Sequence, residues 1–285
     1  MFRIALIQMR VEPGAKEANL ARAEALTAQA AQNGARVVVL PEALTTGWTD
    51  PSARLLADEI PHGPGCVRLR DLARRHGLFL CAGLIERSGD VLFNAAILAD
   101  PAGEILLHHR KLNELEIGHD LYAQGDRLAV ARTELGTFGV MICADAFARG
   151  QVASRALGLM GADMILSPSA WAVPAGHDNT REPYGSLWVE NYAPVARDFR
   201  LWIAGVSNVG PIHSGPWRGR KCIGCSLLMN AQGQVVTQGP YGEDAESILY
   251  AEVELTPRPA RGGGWETIWA SLPQRANTTG EGAAR

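Results

Sequence analysis

Short apolar runs alternate with amphipathic or alanine-rich stretches along most of the chain. Residues 1–8 alternate like a strand. Residues 17–32 are alanine-rich and free of proline, and Asn33-Gly34 follows them, which predicts a helix with a conventional C-terminal stop. A β-branched run over 36–41 predicts a second strand. Residues 67–76 predict a helix ended by Gly77, and 78–85 a strand buried on both faces. Farther on, strands are expected at 163–167 and 201–206, with a helix over 182–200 between them.

Two segments carry hairpin chemistry. Residues 94–100 and 104–110 flank Asp100-Pro101-Ala102-Gly103, and residues 224–230 and 234–237 flank Ala231-Gln232-Gly233. The stretches beginning at Ile97 and Leu227 match in pattern, a weak internal symmetry that suggests two related halves. Helices alternating with buried strands through both halves predict an α/β protein with two sheets and helices outside them, a four-layer αββα sandwich. No inter-domain linker interrupts the pattern. A single domain is expected over 1–260, with 261–285 as a peripheral extension whose end is frayed.

Composition narrows the function classes. With 47% apolar and 20% charged residues the chain reads as globular. A net charge of −3 gives no phosphate-tracking surface or polybasic membrane patch, so neither nucleic acid nor membrane is an expected partner. The start of the chain reads as a strand rather than a signal peptide. Five cysteines, odd in number and mostly within apolar stretches, argue against a disulfide framework. The expectation is a cytoplasmic protein with reduced thiols.

Three apolar runs end on reactive groups. Val37-Val38-Val39-Leu40-Pro41 ends on Glu42, residues 105–110 end on Lys111, and Phe138-Gly139-Val140-Met141-Ile142 ends on Cys143. A thiol at a strand-to-helix elbow is exposed at the sheet edge, and the N–H of the next residue, Ala144, is free to face a reacting carbonyl. Cleaving an unreactive C–N bond needs a nucleophile, a holder for the oxyanion and a proton for the departing nitrogen. Cys143, Lys111 with the Ala144 N–H, and Glu42 fit those three roles without any histidine.

The segments Leu40-Pro41-Glu42-Ala43-Leu44-Thr45-Thr46-Gly47, Arg110-Lys111-Leu112-Asn113 and Ile142-Cys143-Ala144-Asp145 resemble, in order and spacing, the signature motifs of the nitrilase (carbon–nitrogen hydrolase) superfamily. Asn94, the Asp100–Gly103 turn, Gln124-Gly125-Asp126, Glu190-Asn191, Ser207-Asn208 and Gly224-Cys225-Ser226 extend the resemblance over nearly the whole chain. It implies the αββα sandwich, Glu42 as general base, Lys111 as oxyanion stabiliser and Cys143 as nucleophile. It also implies a fourth acidic residue after the lysine, with Glu116 the candidate and Glu114 the fallback. A homodimer or larger homo-oligomer is implied by the resemblance alone. Asn113 stands where many members carry histidine, and Ala146-Phe147-Ala148-Arg149 replaces an Arg-Phe-Pro-Glu-like continuation.

The expected reaction is hydrolysis of a small-molecule linear amide or N-carbamoyl compound through a cysteine thioester, with no metal or organic cofactor. Nitrile hydrolysis is the alternative, because the same groups serve both. A catalytically silent binding module is the reading from another class, and an intact Glu42, Lys111 and Cys143 set argues against it. Trp48 and Trp171 follow two strand ends and are candidates to line the acyl pocket. Cys222-x-x-Cys225 has no second close pair, so a metal site is not expected. Strand alternation puts His109, not His108, on the Lys111 face, and a structural histidine is expected there.

Overall fold

The computed structural model describes residues 1–255. The extension expected over 261–285, and the last residues of the domain expected over 1–260, lie outside that range. In chain order the strands are β1 (Phe2–Gln8), β2 (Val37–Val39), β3 (Phe79–Ser88), β4 (Val91–Ala99), β5 (Ile105–Arg110), β6 (Val130–Thr133), β7 (Gly136–Val140), β8 (Met164–Ser169), β9 (Ala172–Pro174), β10 (Trp202–Ser207), β11 (Val209–Pro211), β12 (Arg220–Ile223), β13 (Leu227–Met229), β14 (Val235–Gln238) and β15 (Ser247–Val253). The α-helices are α1 (Lys16–Gln32), α2 (Ala53–Leu56), α3 (Pro64–His76), α4 (Val152–Met160) and α5 (Ser186–Phe199).

One six-stranded sheet runs β15-β1-β2-β3-β4-β5 and the other runs β14-β13-β10-β8-β7-β6. Each has three parallel strands at its centre, a hairpin on one edge and a single antiparallel strand on the other. The suspected internal symmetry is therefore an equivalence of whole sheets. It reaches the turns. Asp100 Oδ1 accepts from the backbone N–H of Ala102 and Glu104 at 2.9 and 2.8 Å, and Asn230 Oδ1 accepts from Gln232 and Gln234, both at 3.0 Å. A side-chain acceptor at the first turn position substitutes for a backbone one, which is why Asp and Asn are interchangeable there.

Side-chain alternation builds the layers. Along β1, Phe2, Ile4 and Leu6 enter the core between the sheets, while Ala5 and Ile7 face Leu20 of α1 and Leu69 and Leu72 of α3. On the other side, Leu157 of α4 and Trp188, Tyr192 and Val195 of α5 join the same core as Ile203 and Leu228. Strands covered on both faces read as continuous apolar runs, which is what made them legible. The result is the αββα sandwich.

Element boundaries differ from expectation for local reasons. α3 begins at Pro64, whose fixed φ and missing N–H suit a first helical turn, and Asp58 Oδ1 accepts the Gly65 N–H at 2.8 Å. α5 begins only at Ser186, because Pro183 and Gly185 (φ +129°) precede it. A third sheet, β11-β12-β9, was not anticipated. Its strands are three or four residues long and carry no usable period. Among the described residues no helix is long and apolar enough to cross a membrane.

Candidate active site

Backbone geometry delivers the three strand-end groups to one place. After β2, the Leu40 N–H donates to Cys81 O at 2.8 Å, and the chain turns at Glu42 against β3. A Cβ on Gly83 would lie 2.6 Å from Glu42 Cα and 2.7 Å from Pro41 O, so only glycine permits this approach. The Glu42 N–H then donates across to Ser169 O, at the end of β8 in the second sheet, at 3.2 Å. Lys111, one residue past β5, is held through its backbone by Asn94 O and by the Gly125 N–H, both at 2.8 Å. Cys143 adopts φ +45°, a left-handed conformation uncommon outside glycine, where the β7 chain turns into a short 3-10 helix over Cys143–Phe147.

The Lys111 ammonium is buried between two carboxylates. Its Nζ donates to Glu42 Oε1 at 2.8 Å and to Glu114 Oε1 at 3.0 Å. Asn94 Nδ2 ties the same carboxylates together, donating to Glu42 Oε1 at 2.6 Å and Glu114 Oε2 at 3.0 Å. An ammonium has three N–H donors, so one of the three is not used by these carboxylates. Glu42 Oε1 accepts both bonds, whereas Oε2 is buried and accepts none from the protein. Lone pairs on Oε2 are thus available to take a proton.

Asp145 locks the Cys143 turn to the Lys111 loop. Its Oδ1 accepts from the backbone N–H of Leu112 and Asn113 at 3.0 and 2.7 Å, and its Oδ2 accepts from Ile142 at 2.9 Å. His109 Nε2 lies 2.8 Å from Oδ2 as well. Asn113, the residue in place of histidine, donates from Nδ2 to Ala144 O at 2.7 Å. His108 faces the other way and meets Glu86, which also takes a two-pronged contact from Arg110. Alternation along β5 therefore separates the two histidines as expected.

Burial dominates the electrostatics. It raises the Glu42 carboxyl above its ordinary value against the pull of Lys111, and Glu114 adds to the rise. Burial also works to lower the Lys111 ammonium, but the Glu42 and Glu114 carboxylates outweigh it and hold the amine above its usual value. The Cys143 thiol is pushed well above the ordinary range, chiefly by burial and then by Glu42; Lys111 and the Ala170 backbone N–H pull it back. A resting neutral thiol beside a carboxylate with a free oxygen needs its proton removed during attack rather than before it. For Asp145, burial opposes ionisation, yet the His109 contact and the Ile142 and Asn113 N–H groups hold it below the usual carboxylate range.

Glu42, Lys111 and Cys143 all line one cavity of about 240 Å³. Trp48 and Trp171, the two tryptophans singled out in the sequence, line it too. The Ala144 side chain is buried and is not part of the lining; only its backbone position beside Cys143 bears on the site. Glu116 is not brought to the cluster. It is exposed at the start of the 3-10 turn Glu116–Gly118, and the structure puts Glu114 against Lys111 instead. The choice between them depends on how the chain turns after β5, which the sequence spacing does not give. Sequence reasoning also missed Phe147, Tyr184, Leu187, Trp188 and Trp217 as lining residues. No motif marks them, since they come from loops and helix starts far apart in the chain. Cys222 and Cys225 are both free thiols, and no group of three or more His, Cys, Asp or Glu among the described residues is placed to hold a metal ion.

Residues 3–257 match the family model described as carbon-nitrogen hydrolase. A nitrilase from Pyrococcus abyssi is 32% identical over 260 residues, covering 90% of both chains. An omega-amidase NIT2 from Xenopus tropicalis is 30% identical and covers 89% of both. Among solved structures, Nit3 of Saccharomyces cerevisiae superposes with a TM-score of 0.75 at 23% identity, covering 97% of this chain and 96% of that one. An amidase from Nesterenkonia sp. AN1 does so with a TM-score of 0.74, also at 23% identity, over 88% and 90%.

Proposed function

We propose, since the chain belongs to the carbon–nitrogen hydrolase family, that it hydrolyses a linear amide or N-carbamoyl compound of a small molecule through a thioester on Cys143. The observation that carries this reading is the buried Lys111, paired to Glu42 and Glu114 beside Cys143 in one cavity. Cys143 Sγ attacks the carbonyl carbon as its proton passes to Glu42 Oε2. The carbonyl oxygen becomes an oxyanion facing the remaining Lys111 N–H and the Ala144 N–H. Donors of this kind are worth about 10²–10³ each in rate. Glu42 returns the proton to nitrogen, the C–N bond breaks and ammonia or an amine leaves. Glu42 then takes a proton from water, whose oxygen attacks the thioester. The second oxyanion collapses, and Cys143 leaves with the proton.

Relatives named omega-amidase and deaminated glutathione amidase favour amides. The relative named a nitrilase favours a second reading, in which the same groups act on a nitrile. An ammonia-release screen across amides, N-carbamoyl compounds and nitriles separates them. The expected result is amide or carbamoyl turnover that disappears in Cys143→Ala and in folded Glu42→Gln. Release that survives either substitution overturns the proposal.

A further inference from the structure

The walls of the cavity are more specialised than its floor. Four of the chain's seven tryptophans line it: Trp48, Trp171, Trp188 and Trp217. Trp171 and Trp188 stack with centroids 4.4 Å apart and planes 20° from parallel, and Trp48 meets Trp217 edge-on at 4.8 Å. Two of the four indole N–H groups are engaged by neighbouring side chains, whereas the Trp171 N–H is buried without a hydrogen-bond partner. Trp48 Nε1 donates to Glu114 Oε1 at 3.3 Å, and Trp188 Nε1 donates to Tyr184 Oη at 2.9 Å. Indole rings and hydrocarbon from Leu115 and Leu187 make up most of the wall.

Among the described residues the only cation in the lining is Lys111, already engaged by two carboxylates. Arg220 stacks its guanidinium 4.5 Å from the Trp217 ring centroid but does not line the cavity. Among the described residues, then, no guanidinium or second ammonium lines the cavity to receive a carboxylate on the acyl chain. An anion buried there loses its hydration with no cation to pair with, whereas an aromatic ring meets offset and edge-on neighbours. At about 240 Å³ the space falls below the roughly 300–1,000 Å³ of pockets for drug-sized ligands, which suits one ring on a short linker.

We propose that this site selects uncharged amides whose acyl group ends in an aromatic ring, and rejects amides whose acyl group ends in a carboxylate. The inference rests on the amidase reading above, and it names the substrate class for it. Leaving-group chemistry stays at the Glu42, Lys111 and Cys143 floor, while acyl selection falls to the indole walls.

Binding and turnover test it separately. Calorimetry on Cys143→Ala would use 3-phenylpropionamide, succinamate and 4-(trimethylammonio)butanamide as probes, the last because aromatic walls also attract cations. The expected result is arylamide affinity about 100-fold above that of succinamate, and above that of the cation. Trp217→Ala, on a half-buried loop, should lower arylamide affinity about tenfold. Succinamate binding as tightly as the arylamide overturns the inference, and so does tightest binding by the cation. Wild-type turnover supplies the second arm. Arylamide that binds Cys143→Ala but is never cleaved by the wild type supports the pocket assignment and defeats the hydrolase reading. Cleavage of both neutral and anionic amides at equal kcat/KM defeats the pocket assignment and leaves the hydrolase reading standing.

Discussion

His109 and Asp145 meet at 2.8 Å in the interior, the first two residues before Lys111 and the second two residues after Cys143. Through this contact and three backbone N–H bonds, one carboxylate sets the distance between the ammonium and the thiol. Asp145→Asn keeps the size but replaces an acceptor oxygen with a donor. It should cost about 3 kcal/mol of stability, as for a broken buried charge network, and lower kcat/KM by about 10²-fold through misplacement of the reacting groups. Denaturant unfolding together with steady-state kinetics checks both. A variant within about 0.5 kcal/mol of wild type and fully active would remove Asp145 from this role.

Glu114 and Glu116 separate cleanly. Glu114→Gln withdraws one of two carboxylates from Lys111 and weakens the anchor of Trp48, so kcat should fall by about 10²-fold. Glu116→Gln changes an exposed side chain and should leave kcat within about twofold. The reverse order of effects would restore Glu116 as the fourth acidic residue.

Opposite pKa shifts predict two distinct acid transitions. Glu42 is raised by burial, so the acid limb of kcat/KM should lie above the ordinary glutamate value of about 4.3. Asp145 is lowered in the folded state, so its stabilisation is full above the unfolded aspartate value of about 3.9 and is lost as pH falls through the folded value. Activity should disappear on acidification while circular dichroism and unfolding midpoints are still unchanged. Activity and structure lost together below about pH 4 would contradict the assignment.

Gly83→Ala places a methyl group against the Glu42 backbone, where no flexible side chain can yield. Overpacking of this kind costs about 1–3 kcal/mol. Because the strain falls on the strand end that carries Glu42, kcat should drop further than stability alone explains. Thermal unfolding with wild-type midpoint and normal kcat would show that the turn can shift freely.

Much of this was legible before any coordinates. Apolar runs covered on both faces announced the central strands, and their abrupt polar ends announced Glu42, Lys111 and Cys143. The paired hairpins were legible because Asp100 and Asn230 sit at equivalent turn positions. The aromatic wall was legible only in part, at Trp48 and Trp171. Trp217 hangs on a loop between strands of three and four residues, and Trp188 lies in the first turn of α5 on its buried side, so no motif or period marks either. Residue type alone could not choose between Glu114 and Glu116, since that required knowing how the chain turns after β5.

The most direct measurement is intact-protein and peptide mass spectrometry after trapping the enzyme with a substrate or an acylating analogue. A single adduct on Cys143, absent in Glu42→Gln under the same conditions, is the predicted result. An adduct on Cys66, Cys81, Cys222 or Cys225, with Cys143 unmodified during turnover, would contradict the account.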